Sequence, residues 1–465
     1  MMRLRLILIT IVFLPVLAHA QLTWLKIESG TEFNLALRSD STLWSWGFNG
    51  DGQLGIGNNT QQTEPVQIGT DQDWKEIACG AFHALALKSN GTIWIWGNNS
   101  VNQLGNASTV NENSPIQLGT DSDWKNISAG LGHSLCIKDN GTLWGWGYNE
   151  YGQIGNESNV NALTPQQIGT ATDWKLSSCG GVHSLALKND NSLWSWGYNG
   201  LGQLGIGSLV DVNIPVQVGT ASDWETISAG YMFSLAIKQS KSLWSWGFNG
   251  NGQLGTGNTL NYEAPVQVGN EIDWDFISAG SSFTYAIKTD STLWSWGYNG
   301  FGQLGNGNVS QVTIPNSVAL EHDWKSISAA KGATNGTNLF GYHAVGLNIE
   351  ASSFCTVGAN YAGQLGNGNT SDRFFFICDV ASLVSAKELT GSSSFSIFPN
   401  PAENILTLEF EGGTIGEVIV VEDQQGRVVL NSICQSTQLH LDISKLLPGC
   451  YHIFIGADSK RFIKF

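Results

Sequence analysis

Leu43-Trp44-Ser45-Trp46-Gly47-Phe48-Asn49-Gly50-Asp51-Gly52-Gln53-Leu54-Gly55 is the stretch that decides the fold, because it returns at a fixed interval. Trp44, Trp94, Trp144, Trp194, Trp244 and Trp294 stand 50 residues apart. So do Trp46, Trp96, Trp146, Trp196, Trp246 and Trp296, and so do Trp24, Trp74, Trp124, Trp174, Trp224, Trp274 and Trp324. These three ladders hold all 19 tryptophans. Self-similarity at such a period marks a repeat architecture. The Gly-Gln-Leu-Gly turn recurs at Gly202–Gly205, Gly252–Gly255 and Gly302–Gly305, with variants at Asn102–Gly105 and Gly152–Gly155. A seventh copy, Gly363–Gly366, belongs to a repeat stretched by the segment Lys331–Gly341 and carries Cys355 and Val357 in its two Trp slots.

Each repeat contains four short apolar runs between turns, such as Trp74–Cys79, His83–Lys88, Thr92–Trp96 and the junction run Val66–Ile68. None has helical length or period. Asn90-Gly91 predicts a two-residue hairpin turn between the second and third runs. Four strands repeated seven times predict a seven-bladed β-propeller over residues 21–380. In His83-Ala84-Leu85-Ala86-Leu87 the large side chains share one face and the alanines the other, which lets neighbouring blades interlock. A Trp at the same slot in nearly every blade reads as core. The junction run precedes each Trp74-type strand but not Trp24, and Phe374–Cys378 follows the last repeat. The expectation is that this last strand joins the blade begun at Trp24 and clasps the ring.

The repeat, with Gly80-Ala81-Phe82-His83-Ala84-Leu85-Ala86-Leu87 as its second signature, resembles that of the regulator of chromosome condensation family. The resemblance implies a seven-bladed propeller. Founding eukaryotic members exchange nucleotide on a small GTPase and touch chromatin, whereas secreted bacterial relatives bind other proteins. The chain itself points away from the first role. Arg3 and Arg5, an apolar run Leu6–Leu17 and Ala18-His19-Ala20 read as a signal peptide over residues 1–20, cleaved near Ala20. The remainder has 20 basic against 38 acidic residues, a charge of −18, and no basic run. That balance argues against nucleic acid as a partner. No other segment has the length and apolarity of a transmembrane helix.

After Val380 the repeat stops. Residues 381–394 read as a Ser-rich linker, and residues 395–465 as a small antiparallel β-sandwich of strand-like runs from Ile405 to Phe465. Four pieces, Phe398-Pro399-Asn400-Pro401, Asp423-Gln424-Gln425-Gly426-Arg427, Leu446–Tyr451 and Lys460–Phe465, resemble the type A C-terminal sorting domain of the type IX (Por) secretion system of Bacteroidetes. Cys450 departs from the apolar residue usual there. The resemblance implies contact with the secretion machinery through residues 395–465, export, and a secreted or outer-membrane-surface location.

Chemistry is sparse. His83, His133, His183 and His343 share a slot that Phe33, Phe233 and Phe283 fill elsewhere, so they read as packed side chains bonded to backbone rather than a metal ring. Cys79, Cys136 and Cys179 take alanine slots and read as small buried hydrophobes, while a Cys434–Cys450 bridge stays open. No catalytic, cofactor or metal residues are assigned. Within Asn-Gly-x-Gly-Gln-Leu-Gly the x slot varies: Asp51, Val101, Tyr151, Leu201, Asn251, Phe301. A slot that varies among constant neighbours is expected to be exposed, which makes Tyr151, Leu201 and Phe301 the candidate partner-binding rim and Lys331–Gly341 a second candidate. The leading expectation is a non-enzymatic scaffold for an extracellular protein or glycan, without cofactor. The alternatives are a lyase or hydrolase with a rim site and, last, a nucleotide-exchange factor.

Overall fold

The computed structural model describes residues 22–318, 323–332, 341–349, 353–379, 395–410, 418–422, 428–433, 438–455 and 458–464. The signal-peptide and linker segments lie outside them, as do Cys434 and most of Lys331–Gly341. The chain divides into two compact units, Met1–Ala381 and Ser382–Phe465.

The first unit is a seven-bladed propeller. Blade 1 comprises β1 (Trp24–Ser29), β2 (Phe33–Arg38), β3 (Leu43–Gly47) and β4 (Gln62–Ile68), antiparallel in that order. Six further four-stranded sheets repeat it: Trp74–Gln117, Trp124–Gln167, Trp174–Gln217, Trp224–Gln267, Trp274–Ser317 and Trp324–Asp379. The first strands of all seven contact one another around the axis, and the first contacts the last.

The interlocking is as the alternation predicts. Leu35 and Leu37 of blade 1 meet Ala84, Ala86 and Trp96 of blade 2 in one core cluster. The last Gly of the turn motif has a specific reason. Gly55 has φ +69°, and a Cβ there would lie 2.8 Å from the Trp96 indole nitrogen. The turn is stapled internally: Asn49 Oδ1 accepts from Leu54 N at 2.9 Å and Gln53 Oε1 from Asp51 N at 2.9 Å. Its main chain hands over to the next blade, where Trp96 Nε1 donates to Gln53 O at 2.9 Å.

Three expectations are corrected. First, no strand is exchanged to close the ring. Val66 pairs with Ser45, so the junction run belongs to the blade before it, and the last strand, Arg373–Asp379, pairs with Phe354–Gly358 of blade 7. Antiparallel return after one turn satisfies the open edge of each third strand locally, which leaves no strand to lend. The ring closes with the same handover used between other blades: Trp46 Nε1 and Asn34 Nδ2 donate to Gln364 O at 3.0 and 2.7 Å. Second, the Asn90-Gly91 hairpin has a three-residue loop. Lys88 N donates to Thr92 O and Gly91 N to Lys88 O, both at 3.0 Å. Only Gly91 takes positive φ (+80°), while Asn90 Oδ1 accepts from Thr92 N and Oγ1, a type I turn with a left-handed third residue. Third, Cys355, read only as the occupant of a Trp slot, is bridged to Cys378 across directly paired strands of blade 7. Where the Trp46-type indole is missing, the Tyr285 hydroxyl donates to Gln303 O instead, and Phe376 packs against Tyr285 and Trp324.

Five blades share a further device on the opposite face. Lys88 Nζ sits over Trp74 and Trp94 at 4.8 and 4.7 Å while paired with Asp71 and Asp73. Lys138, Lys188, Lys238 and Lys288 likewise sit over two Trp rings, each paired with the Asp equivalent to Asp73, and Arg38 covers Trp44 in blade 1.

The second unit has a three-stranded sheet (Phe395–Phe398, Ile405–Phe410, Gln438–Asp442) and a four-stranded sheet (Val428–Ile433, Val418–Glu422, Gly449–Ile455, Asp458–Lys464). Both are antiparallel, and Phe395, Leu406, Leu408, Ile419, Val421, Ile453 and Phe462 fill the core. Asn400 ties its first turn to its last strand: Oδ1 accepts from Ile463 N at 2.9 Å and Nδ2 donates to Arg461 O at 3.1 Å. Two of the four pieces singled out in the sequence thus bond to each other.

Candidate functional site

The loops between first and second strands, and those between third and fourth, emerge on one face of the propeller. Across blades 2 to 5, with Asp51 of blade 1 added, they form a groove of about 660 Å³. Its aromatic and apolar lining includes Phe82, Tyr148, Tyr151, Tyr198, Tyr231 and Met232, with Val101 and Leu201 beside them. Of the three candidate rim residues the groove unites two, Tyr151 and Leu201. Phe301 lies elsewhere on the ring, stacked on Tyr342 at 5.0 Å and 14°. All three are half-buried rather than exposed, because the slot's backbone N–H bonds the motif Gln and pulls the turn inward.

The tyrosines meet as walls, not as a flat row. Tyr151 is 5.0 Å from Tyr198 at 66° and 6.3 Å from Tyr148 at 76°. The Tyr148 hydroxyl donates to Glu150 Oε2 at 2.9 Å. Partial burial and that carboxylate hold the phenol well above its ordinary range, so it stays protonated. Tyr148, Tyr198, Phe82 and Met232 went unnoticed in the sequence. The slot of Glu32, Phe82, Gly132, Val182 and Met232 varies as freely as the x slot, whereas that of Phe48, Tyr148 and Tyr198 is aromatic in nearly every repeat.

The histidines do not face this groove. His83, His133 and His183 present Nε2 to Ser134, Ser184 and Ser234 of the next blade at 3.0, 3.0 and 2.9 Å. Each serine gives its own hydrogen to a motif Gln carbonyl, so the imidazole is the donor and is neutral. His343 closes the set on Asn34 Oδ1 at 3.0 Å. Their partners are side chains, not the expected backbone groups. Burial pushes all four down to about 3. Among the described residues no group of three or more His, Cys, Asp or Glu is placed to hold a metal ion. Cys79, Cys136 and Cys179 are buried thiols.

A cavity of about 440 Å³ runs along the axis. Its walls use up their own polar atoms: Ser128, Ser178, Ser228, Ser278 and Ser328 each accept a main-chain N–H of the next blade at 2.9–3.0 Å. Lys331 reaches across it to the Ala129 carbonyl. The groove is therefore the better candidate.

Residues 13–279 match the model of the RCC1-like domain, more than half of the chain. The protein belongs to the RCC1-like domain family. Regulator of chromosome condensation repeats also match at 274–303 and 290–334. The RCC1-like propeller resembles human WBSCR16 at 22% identity and a TM-score of 0.63, over 72% of this chain and 92% of that one. It resembles Prp20p from Saccharomyces cerevisiae at 19% identity and the same score, over 81% and 90%. At such identities the likeness concerns the fold. A 43-residue stretch is 46% identical to the ultraviolet-B receptor UVR8 of Arabidopsis thaliana, spanning 9% of this chain and about a tenth of that protein's length. Residues 396–465 match the secretion system C-terminal sorting domain. The propeller thus carries a sorting tail, which implies export and a surface or extracellular location.

Proposed function

We propose that the protein is an exported binding scaffold that holds an extracellular protein or glycan in the groove of blades 2 to 5. The single observation that carries this is asymmetry. The fold repeats seven times, yet one loop slot is apolar on four successive blades only. Val110, Val160, Val210 and Leu260 stand at one loop slot on blades 2 to 5, each 66–73% exposed. The same slot holds Thr60, Ser310 and Ser371 on the other blades. Val110, Val160 and Val210 stand on three of the loops that also line the groove. Packing of the propeller does not require them, and apolar area next to an aromatic cleft is what interface cores use. The lining contains one carboxylate, Asp51, and no His, Cys or Lys, which gives a rim enzyme no paired acid and base.

In this reading residues 1–20 direct passage across the inner membrane with cleavage near Ala20, and residues 395–465 engage the type IX machinery. The test is capture of outer-membrane and secreted proteins, with a glycan array in parallel, by the exported protein and by Y151A/L201A. A saturable partner lost in the double variant is the expected result. A partner that binds both equally would move the site off the groove.

A further inference from the structure

The groove's chemistry narrows what it accepts, given the scaffold reading above. We infer that the tyrosine corner of Tyr148, Tyr151 and Tyr198 receives a cationic side chain, so that the partner is a polypeptide segment presenting Arg or Lys among apolar residues.

Three observations converge. The rings meet edge to face at 66° and 76°, which makes a corner rather than a flat platform. A sugar ring stacks on a flat platform, whereas a cation is held by a concave set of faces within about 6 Å of the ring centroids. Next, negative charge lies beside the corner. Glu150 accepts from the Tyr148 hydroxyl at its edge, and Asp51, bonded to Asn111 at 2.9 Å, lines the same groove. Finally, the long loops of this face carry no competing cation, and Lys331, on a first-to-second-strand loop, is turned to the Ala129 carbonyl. The six long loops 48–61, 98–111, 148–161, 198–211, 248–261 and 298–311 contain Asp51, Glu150, Glu157 and Asp211 and not one Lys or Arg. The Lys and Arg residues that cover Trp faces lie at the far ends of the second strands, already paired with Trp and Asp. An acidic face with an aromatic corner attracts a basic segment and repels an anionic one.

The experiment uses the full exported chain and a fluorescein-labelled nonapeptide with two arginines between leucines. Matched peptides carry glutamines or glutamates in place of the arginines, and a labelled neutral oligosaccharide and a labelled acidic one complete the set. Polarisation should show saturable binding of the arginine peptide only, weakening as salt is raised. Y151L should weaken it about tenfold. E150Q, which leaves the fold untouched because Glu150 is exposed, should weaken it about threefold. Equal binding of the glutamine peptide, or E150Q and Y151L binding as wild type does, would overturn the inference. So would failure of the arginine peptide to bind. An oligosaccharide that binds and is lost in Y151L but not in E150Q would overturn the cation while leaving the groove scaffold standing.

Discussion

Acid should open the interfaces between blades through their histidines. His83, His133, His183 and His343 sit near 3 in the folded state against an ordinary 6.5. The unfolded chain therefore takes up the proton first as pH falls. Stability from this source is whole above pH 6.5, declines between about 6.5 and 3, and levels off below. From pH 7 to pH 5 each histidine costs about 2 kcal/mol, so the four cost roughly 8. Glu32 works the other way. Burial raises it from 4.5 to about 7, so the folded state binds the proton first. That returns about 2 kcal/mol over the same interval. Wild type should lose about 6 kcal/mol in urea unfolding between pH 7 and pH 5, read by tryptophan fluorescence, which reports the propeller alone because it holds every Trp. The variant H83F/S134T, H133F/S184T, H183F/S234T copies the Phe233–Thr284 pairing already present in the ring. Only His343 would then remain to offset Glu32, and stability should be nearly equal at the two pH values. Equal losses in variant and wild type would refute the assignment.

Three further outcomes are expected. K188M removes an ammonium held 4.9 and 4.7 Å from Trp174 and Trp194 and paired with Asp173, and should cost about 1–3 kcal/mol in urea unfolding, with K188R retaining most of it as Arg38 does over Trp44. W46F at the closing junction and W196F at an interior one delete the same indole bond to a motif Gln carbonyl and should cost the same, about 2 kcal/mol each; a much larger loss for W46F would mean that closure is a special interface. Reducing Cys355–Cys378, or C355S/C378S, should remove about 3 kcal/mol by freeing a loop of 23 residues, and an unchanged melting profile under reductant would show that the bridge adds nothing.

Much of the site could have been read from the repeat. The histidine zipper is one case. His83, His133 and His183 face Ser134, Ser184 and Ser234 51 residues on, and His343 faces Asn34 across the ring closure, while Phe33 and Phe233 precede Ala84 and Thr284. That pairing of slots was legible but needs both blades in view. Tyr151 and Leu201 were found through one variable slot. Tyr148 and Tyr198 were not, since they occupy a slot whose other residents, Phe48 and Phe248, look like ordinary aromatics.

The periodicity by itself determined the number of blades, the strands in each and the interlocking of leucine with alanine, because each of these depends on contacts that recur with the repeat. The tertiary structure alone decided the rest. Which strand pairs with which at a junction depends on where the chain turns back, not on spacing. How blade 7 replaces its lost indole depends on Tyr285, Phe376 and a disulfide meeting across strands. And a groove that joins loops from blades 2 to 5 exists only once the ring is closed, when the one irregular feature of each repeat is brought beside its neighbours'.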